Sequence, residues 1–252
     1  MEKQHWLSYV NLSDHYERKA RFLPALLSYV FLLPATAALD LPFTDWYKMI
    51  AAGVGIGCAM AVGLSHIASA AGNRFQEKLW PKWPFDSPTN QWLLPEDSTR
   101  SQQQKEIWYA AINRLTGLNI PSAKNSGKQE VEKVINDAVS TIRYMTRNSE
   151  HGDRLRVHNA DYGFARNFAG LYPLWVSFSL VDFIVCWIGY LLGNVSLLWG
   201  IISTSLLMGA FLLAFKVLPK YVRLKAKQYA ESFFGALIEL DRANQLSNKY
   251  TC

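Results

Sequence analysis

Apolar positions along the chain fall into four blocks set in otherwise polar sequence. Phe22–Leu39 carries no charge, Met49–Gly72 has only His66 as an ionisable side chain, Leu171–Gly193 has one charge at Asp182, and Val195–Phe215 has none. An apolar run of about 18 or more residues is long enough to cross a hydrocarbon core of about 30 Å as a helix. The pattern therefore predicts four transmembrane helices, the first kinked by Pro24 and Pro34.

Between the second and third blocks the period changes to that of surface helices. Ile107, Ala111, Ile112 and Leu115 share a face of Ser101–Leu118, which Asp97 or Ser98 would cap and Gly117 and Pro121 would end. Val131, Val134, Ile135, Ala138, Val139, Ile142 and Met145 recur at helical spacing over Lys128–Arg147, opposite Glu132, Lys133, Asp137 and Arg143. A further helix is expected from Asp153 into the third block. An amphipathic one is expected over Pro219–Ser247, with Val222, Tyr229, Phe233, Leu237 and Leu240 on one side. Pro81, Pro84, Pro88 and Pro95 preclude a long helix in Leu79–Pro95, where Trp80 and Trp83 rest either on the membrane interface or on the polar region itself. No strand alternation is evident. The expected fold is an all-α integral membrane protein: a segment 1–21, a transmembrane hairpin 22–72, a helical region 73–168, a second hairpin 169–218 and a C-terminal amphipathic helix 219–252.

Composition sharpens this. The 252 residues are 50% hydrophobic and 18% charged, with a mean hydropathy of −0.01, so two populations cancel. That balance excludes a disordered chain, and three cysteines exclude a disulfide scaffold. Of the 26 Lys and Arg, only Lys48 lies in a connection within a hairpin; the other 25 flank the blocks on the opposite side. Basic residues stay cytoplasmic, which places both termini and the central region on the cytoplasmic side. Trp46, Tyr47, Tyr172, Trp175 and Trp199 fall near block ends, where amphipathic rings suit the headgroup level. The net charge of +6 then reflects topology, and direct DNA binding is not expected. Ala35-Thr36-Ala37 has the form of a signal-peptide cleavage site, but the polar stretch before the block is long for such a leader, and a span is the expectation.

Three groups of residues are candidates for function. Asp182 lies mid-span, where a carboxylate costs about 2.5–3.5 kcal/mol on the insertion scale and so avoids lipid. Ser203, Thr204 and Ser205 fall at its depth and are its expected partners, lining a hydrated pore or an intersubunit contact, or else Asp182 is a hydrogen-bonded structural aspartate. Gly53, Gly57 and Ala61 form one small-residue ridge and Gly55, Ala59 and Gly63 another, which suits close helix packing. Arg143, Arg147, Arg154, Arg156 and Arg166, with His151 and His158, crowd the approach to the third block. They suit anionic lipid headgroups, a phosphorylated ligand, a protein partner or internal salt bridges.

Catalytic motifs are absent. Helical ribonucleases of the HEPN type carry Arg-x(4–6)-His, whereas Arg147–His151 and Arg154–His158 each enclose only three residues. No phosphate-binding loop, H-E-x-x-H or C-x-x-C occurs, and Cys58, Cys186 and Cys252 are scattered, so neither enzyme activity, cofactor nor metal is expected. The tract HNADYGFARNFAGLYPL within Asp153–Leu174, with the four-block layout, resembles small four-span bacterial membrane proteins associated with anti-phage defence. The resemblance implies a membrane effector or accessory subunit answering a cytoplasmic partner. Four spans enclose no wide path, so a homo-oligomer is expected. The leading expectation is an oligomeric, channel-like effector regulated by a cytoplasmic protein or ligand; the alternative is a non-conducting sensor or scaffold that recruits a soluble protein. On the channel expectation, Asp182→Asn alters conductance or assembly after reconstitution, and a variant unchanged in both contradicts it.

Overall fold

The computed structural model describes residues 14–39, 56–147 and 149–250. All regular structure among them is helical. The helices are α1 (Glu17–Ala38), α2 (Ile56–Leu79), α3 (Gln102–Thr116), α4 (Lys128–Arg147), α5 (Asp153–Gly170), α6 (Tyr172–Leu191), α7 (Leu197–Leu212) and α8 (Leu218–Tyr250). A π-helical segment, Leu213–Val217, joins α7 to α8. Among the described residues, three helical runs are long and apolar enough to cross a membrane: Glu17–Ala38, Tyr172–Leu191 and the continuous Leu197–Ser247. The block Met49–Gly72 lies partly outside the described residues; its described part belongs to α2.

The chain divides into two units. The apolar unit comprises Met1–Gln76 with Gly163–Val222, and the polar unit Glu77–Tyr162 with Arg223–Cys252. In the apolar unit α1 is irregular along most of its length. It opens as a π-helix over Glu17–Phe22, becomes α-helical, tightens to a 3-10 turn at Tyr29–Leu32 and resumes over Leu33–Ala38. Pro24 and Pro34 supply no amide, so the ladder of α1 cannot be regular around them.

Small residues on α5 bring three helices together. A Cβ at Gly163 would press on Ala20 and the Tyr16 ring, and one at Gly170 would overlap the backbone of Ala71 and Gly72. A Cβ at Gly72 would in turn overlap Asn167. Asn167, fully buried, uses this proximity: its Nδ2 donates to the Ala20 carbonyl in the π-helical turn at 2.6 Å. Trp175 is also fully buried, stacks on Phe31 and Phe168, and donates Nε1 to the Phe168 carbonyl where Leu171 and Pro173 interrupt the passage from α5 to α6. Gly193, at φ 75°, turns α6 into α7.

The polar unit has its own core, with Trp108, Ile112, Ile135, Val139, Ile142, Phe233, Phe234 and Leu237 buried together from α3, α4 and α8. Trp108 stacks on Phe234 with ring centroids 3.8 Å apart. The cap of α3 is Ser101, which accepts from the Gln104 amide, rather than the expected Asp97 or Ser98, and Gly117 in the left-handed region closes the helix. α4 runs over the expected Lys128–Arg147. The Trp/Pro stretch folds back on Lys105, which is 1% exposed as a residue and donates its ammonium to the carbonyls of Leu94, Pro95 and Asp97. Trp80 is buried edge-on to Tyr162, so within the polar unit the packed reading of this stretch holds for Trp80. Arg114 and Asp241 form a two-point pair at 2.9 and 2.6 Å between α3 and α8, which pushes the guanidinium pKa still higher.

Two outcomes follow from this packing. Gly170→Ala forces a methyl into the Ala71 backbone and lowers stability by about 1–3 kcal/mol, whereas Gly63→Ala, where a Cβ meets nothing within 4 Å, is neutral or gains up to about 1 kcal/mol from helix propensity. Thermal melts in detergent separate the two. Tyr109 donates its hydroxyl to the Leu93 carbonyl at 2.7 Å, and burial, helped by Glu96, pushes its pKa up to about 12. A raised acid pKa stabilises the fold below the ordinary value of about 10 and is lost as pH rises from there through 12. Wild-type stability should therefore fall between those values more steeply than that of Tyr109→Phe, as followed by circular dichroism.

Candidate functional site

The inward face of α6 carries Trp175, Ser179, Asp182, Cys186 and Gly189, all buried, while Leu180, Val181, Ile184, Ile188 and Leu191 face outward. Asp182 is 0% exposed. Its Oδ1 accepts from the Ala35 backbone amide at 2.5 Å, one residue past Pro34, where the irregular ladder of α1 leaves a donor to be met from outside. Oδ2 is buried without a hydrogen-bond partner.

The hydroxyls expected beside Asp182 are engaged elsewhere. Ser203, buried, donates to the Gly200 carbonyl at 3.0 Å and meets the Cys186 thiol. Thr204 donates to the same carbonyl at 2.8 Å and accepts from Trp187 Nε1 at 3.0 Å. Ser205 is exposed and donates to the Ile201 carbonyl. The partner of the carboxylate is thus a backbone amide of α1, and the site is a closed junction of α1 and α6.

Of the small-residue ridges, Gly53 and Gly55 lie outside the described residues. Gly57, Ala59 and Ala61 fall within α2, with no described side-chain environment. Gly63 is exposed, and a Cβ there would meet nothing within 4 Å among the described residues. The small residues that do bring helices together are Gly72, Gly163 and Gly170. The spacing G-x-x-x-N-x-x-G at 163, 167 and 170 was the available signal, hidden because the same stretch is polar.

The five arginines do not form one cluster. Arg166 belongs to the apolar unit, where Nη1 donates to Gln76 Oε1 at 3.2 Å and Nε to Asn167 Oδ1 at 3.1 Å. The other four lie in the polar unit. Arg156 pairs with Asp153 and donates to the carbonyls of Arg147 and Ser149, closing the turn between α4 and α5. Arg143 sits 6.0 Å from the Tyr229 ring. Arg147 is exposed.

Arg154 faces a cleft of about 340 Å³ whose lining also includes His151 and His158 beside Gln228, Glu231, Ser232 and Glu239 of α8. His158 Nδ1 and Gln228 Oε1 are both buried without partners. Sequence reasoning reached the arginine and histidine wall but not the α8 wall, because Gln228, Glu231 and Glu239 read as a solvated face.

Chemically, the cleft offers one guanidinium, two imidazoles and two carboxylates. Neither histidine has a carboxylate partner to orient it among the described residues, and no group of three metal-ligating side chains occurs among them. Comparison with protein-family models, with curated proteins and with solved structures finds no match.

The Asp182 junction makes a direct prediction. Asp182→Ala leaves the Ala35 amide without an acceptor in apolar surroundings and costs about 1–3 kcal/mol, while Asp182→Asn keeps an acceptor oxygen and loses less than half as much. Melting of both variants in detergent reads the difference; equal losses contradict the assignment.

Proposed function

We propose that the protein is a membrane-anchored sensor or adaptor, with four spans and both termini and the polar unit on the cytoplasmic side of a bacterial inner membrane. In this reading the apolar unit is an anchor, and the polar unit recognises a ligand or partner protein. One observation carries it: the polar centre of the apolar unit is closed, with Asp182 fully buried on a backbone amide, while the polar unit holds an open cleft lined by charged and polar side chains. Conducting paths are lined by groups that water can reach, and enclosed carboxylates tie helices together. A setting in phage defence is part of the proposal and rests on the His158–Leu174 resemblance.

A second reading, a conducting homo-oligomer, is favoured by Gly63. It is an exposed small residue against which nothing among the described residues is fitted, as a contact with a second copy would require. Purified protein in vesicles loaded with a pH-sensitive dye, under a potassium gradient, separates the two. The sensor reading predicts ion and proton flux no faster than in empty vesicles. Flux that Asp182→Asn abolishes would establish the conducting assembly instead.

A further inference from the structure

We propose that one exposed side of the helix leaving the last apolar run is a docking surface for anionic phospholipid headgroups, formed by Lys216, Lys220, Arg223 and Lys227. The inference goes beyond the sensor reading and rests only on its membrane anchor.

Five basic residues lie between 216 and 227, and the next acidic residue along the chain is Glu231. Four of the five are exposed: Lys216, Lys220, Arg223 and Lys227. Their spacing is i, i+4, i+7 and i+11, which at 3.6 residues per turn puts them on one side of a helix. The chain is helical without a break over Leu197–Ser247, so the row is continuous. Lys225 is the exception, with a mostly buried side chain that bonds Asp161 at 3.2 Å. The buried row of α8, Val222, Ala226, Ala230 and Phe233, lies on a different side from the stripe. Among the described residues, none of the four exposed cations has an ion pair or a hydrogen bond.

Topology alone does not require this order. The positive-inside rule counts basic residues near a span and is indifferent to the side of the helix that they occupy. Here the cation off the stripe has a carboxylate partner and the four on it have none, so the stripe presents unneutralised charge along one line. An ammonium and a guanidinium both suit a phosphate oxygen, the guanidinium in two-point fashion.

Depth points to lipid as the source of that phosphate. The helical run from 197 to 215 is about 28 Å long, close to a hydrocarbon thickness of about 30 Å. Lys216 then leaves the hydrocarbon at its edge, between the exposed Phe215 and Val217, where a long cationic side chain snorkels to the headgroups. Lys220 lies about 6 Å further out, within the headgroup layer, and Arg223 about 10 Å out, within reach of that layer through its side chain. Lys227 stands about 10 Å beyond Lys220, more than a Debye length of about 8 Å. A soluble polyanion reaches the first of these cations only by displacing headgroups, whereas an anionic phospholipid arrives in the plane of the bilayer. The surface is therefore graded, strongest at Lys216 and Lys220 and weakest at Lys227.

The test measures equilibrium binding of phosphatidylglycerol and of phosphatidylcholine to the full chain in micelles of an uncharged detergent. Phosphatidylglycerol should bind at least about tenfold more tightly, with the preference falling as salt is raised. Lys220→Gln and Arg223→Gln should each reduce the preference by about threefold to fivefold, and Lys227→Gln by less than about twofold. Lys133→Gln, an exposed site on α4, should leave it unchanged. All four side chains are exposed, so the variants keep the lipid-free Tm. Equal binding of the two lipids overturns the proposal, as does a preference that survives the Lys220→Gln, Arg223→Gln double variant or falls as far in Lys133→Gln. Displacement of the lipid by millimolar inorganic phosphate would show a soluble-anion site instead, and an RNA oligonucleotide whose binding is lost in the same variants would show a nucleic-acid surface; either overturns it. Alkaline extraction of membranes from the same cells reports on the anchor independently. Absent lipid preference in a membrane-retained chain overturns the lipid surface alone, whereas a chain released in soluble form overturns the anchored sensor reading.

Discussion

The apolar unit depends on satisfying the backbone of an irregular helix away from water. α1 contains a π-helical turn, a 3-10 turn and two prolines, so its ladder leaves groups that must be met from outside. Two side chains meet them. Asn167 donates to the Ala20 carbonyl near one end, and Asp182 accepts from the Ala35 amide near the other. The sequence separation is 147 in both cases, so α1 and the α5–α6 run are parallel and in register. Glycines at 163 and 170 permit the close approach within which the Asn167 contact forms.

This arrangement explains why an aspartate sits among hydrocarbon side chains. A carboxylate at that depth is costly, but an unmet amide in the same medium is costly too, and each removes the other's penalty. The unpartnered Oδ2 is the part of the group that the fold leaves uncompensated. In the polar unit the converse holds. Its core is built from large aromatic and branched side chains, its buried ammonium at Lys105 is met by three carbonyls, and an open cleft beside α8 is lined by charged and polar side chains. The closed centre and the open cleft together favour an anchor bearing a recognition unit.

Helices were legible wherever burial has a simple period. α4 appears at its expected bounds because Val131, Ile135, Ala138, Val139 and Ile142 mark one face against water. Asp182 was conspicuous because nothing else charged shares its block. Its partner was not, because depth counting compares side chains and the partner is a backbone amide; Pro34 was the only sign that such a group would be free. The arginine-rich stretch misled in the opposite direction. Proximity in sequence suggested one anionic site, but α5 turns Arg154 into a cleft, Arg156 onto a turn and Arg166 into the other unit. The glycine crossing was obscured because small residues have no hydropathy signal of their own in a polar run.

Amide hydrogen exchange over Tyr29–Ala38 in detergent micelles, comparing wild type with Asp182→Ala, tests the central claim most directly. If Asp182 holds α1 in place, the Ala35 amide and its neighbours are strongly protected in the wild type and exchange much faster in the variant, while α4 in the polar unit is unchanged. Equal protection of Tyr29–Ala38 in both proteins would show that α1 stands without the carboxylate and contradict the account.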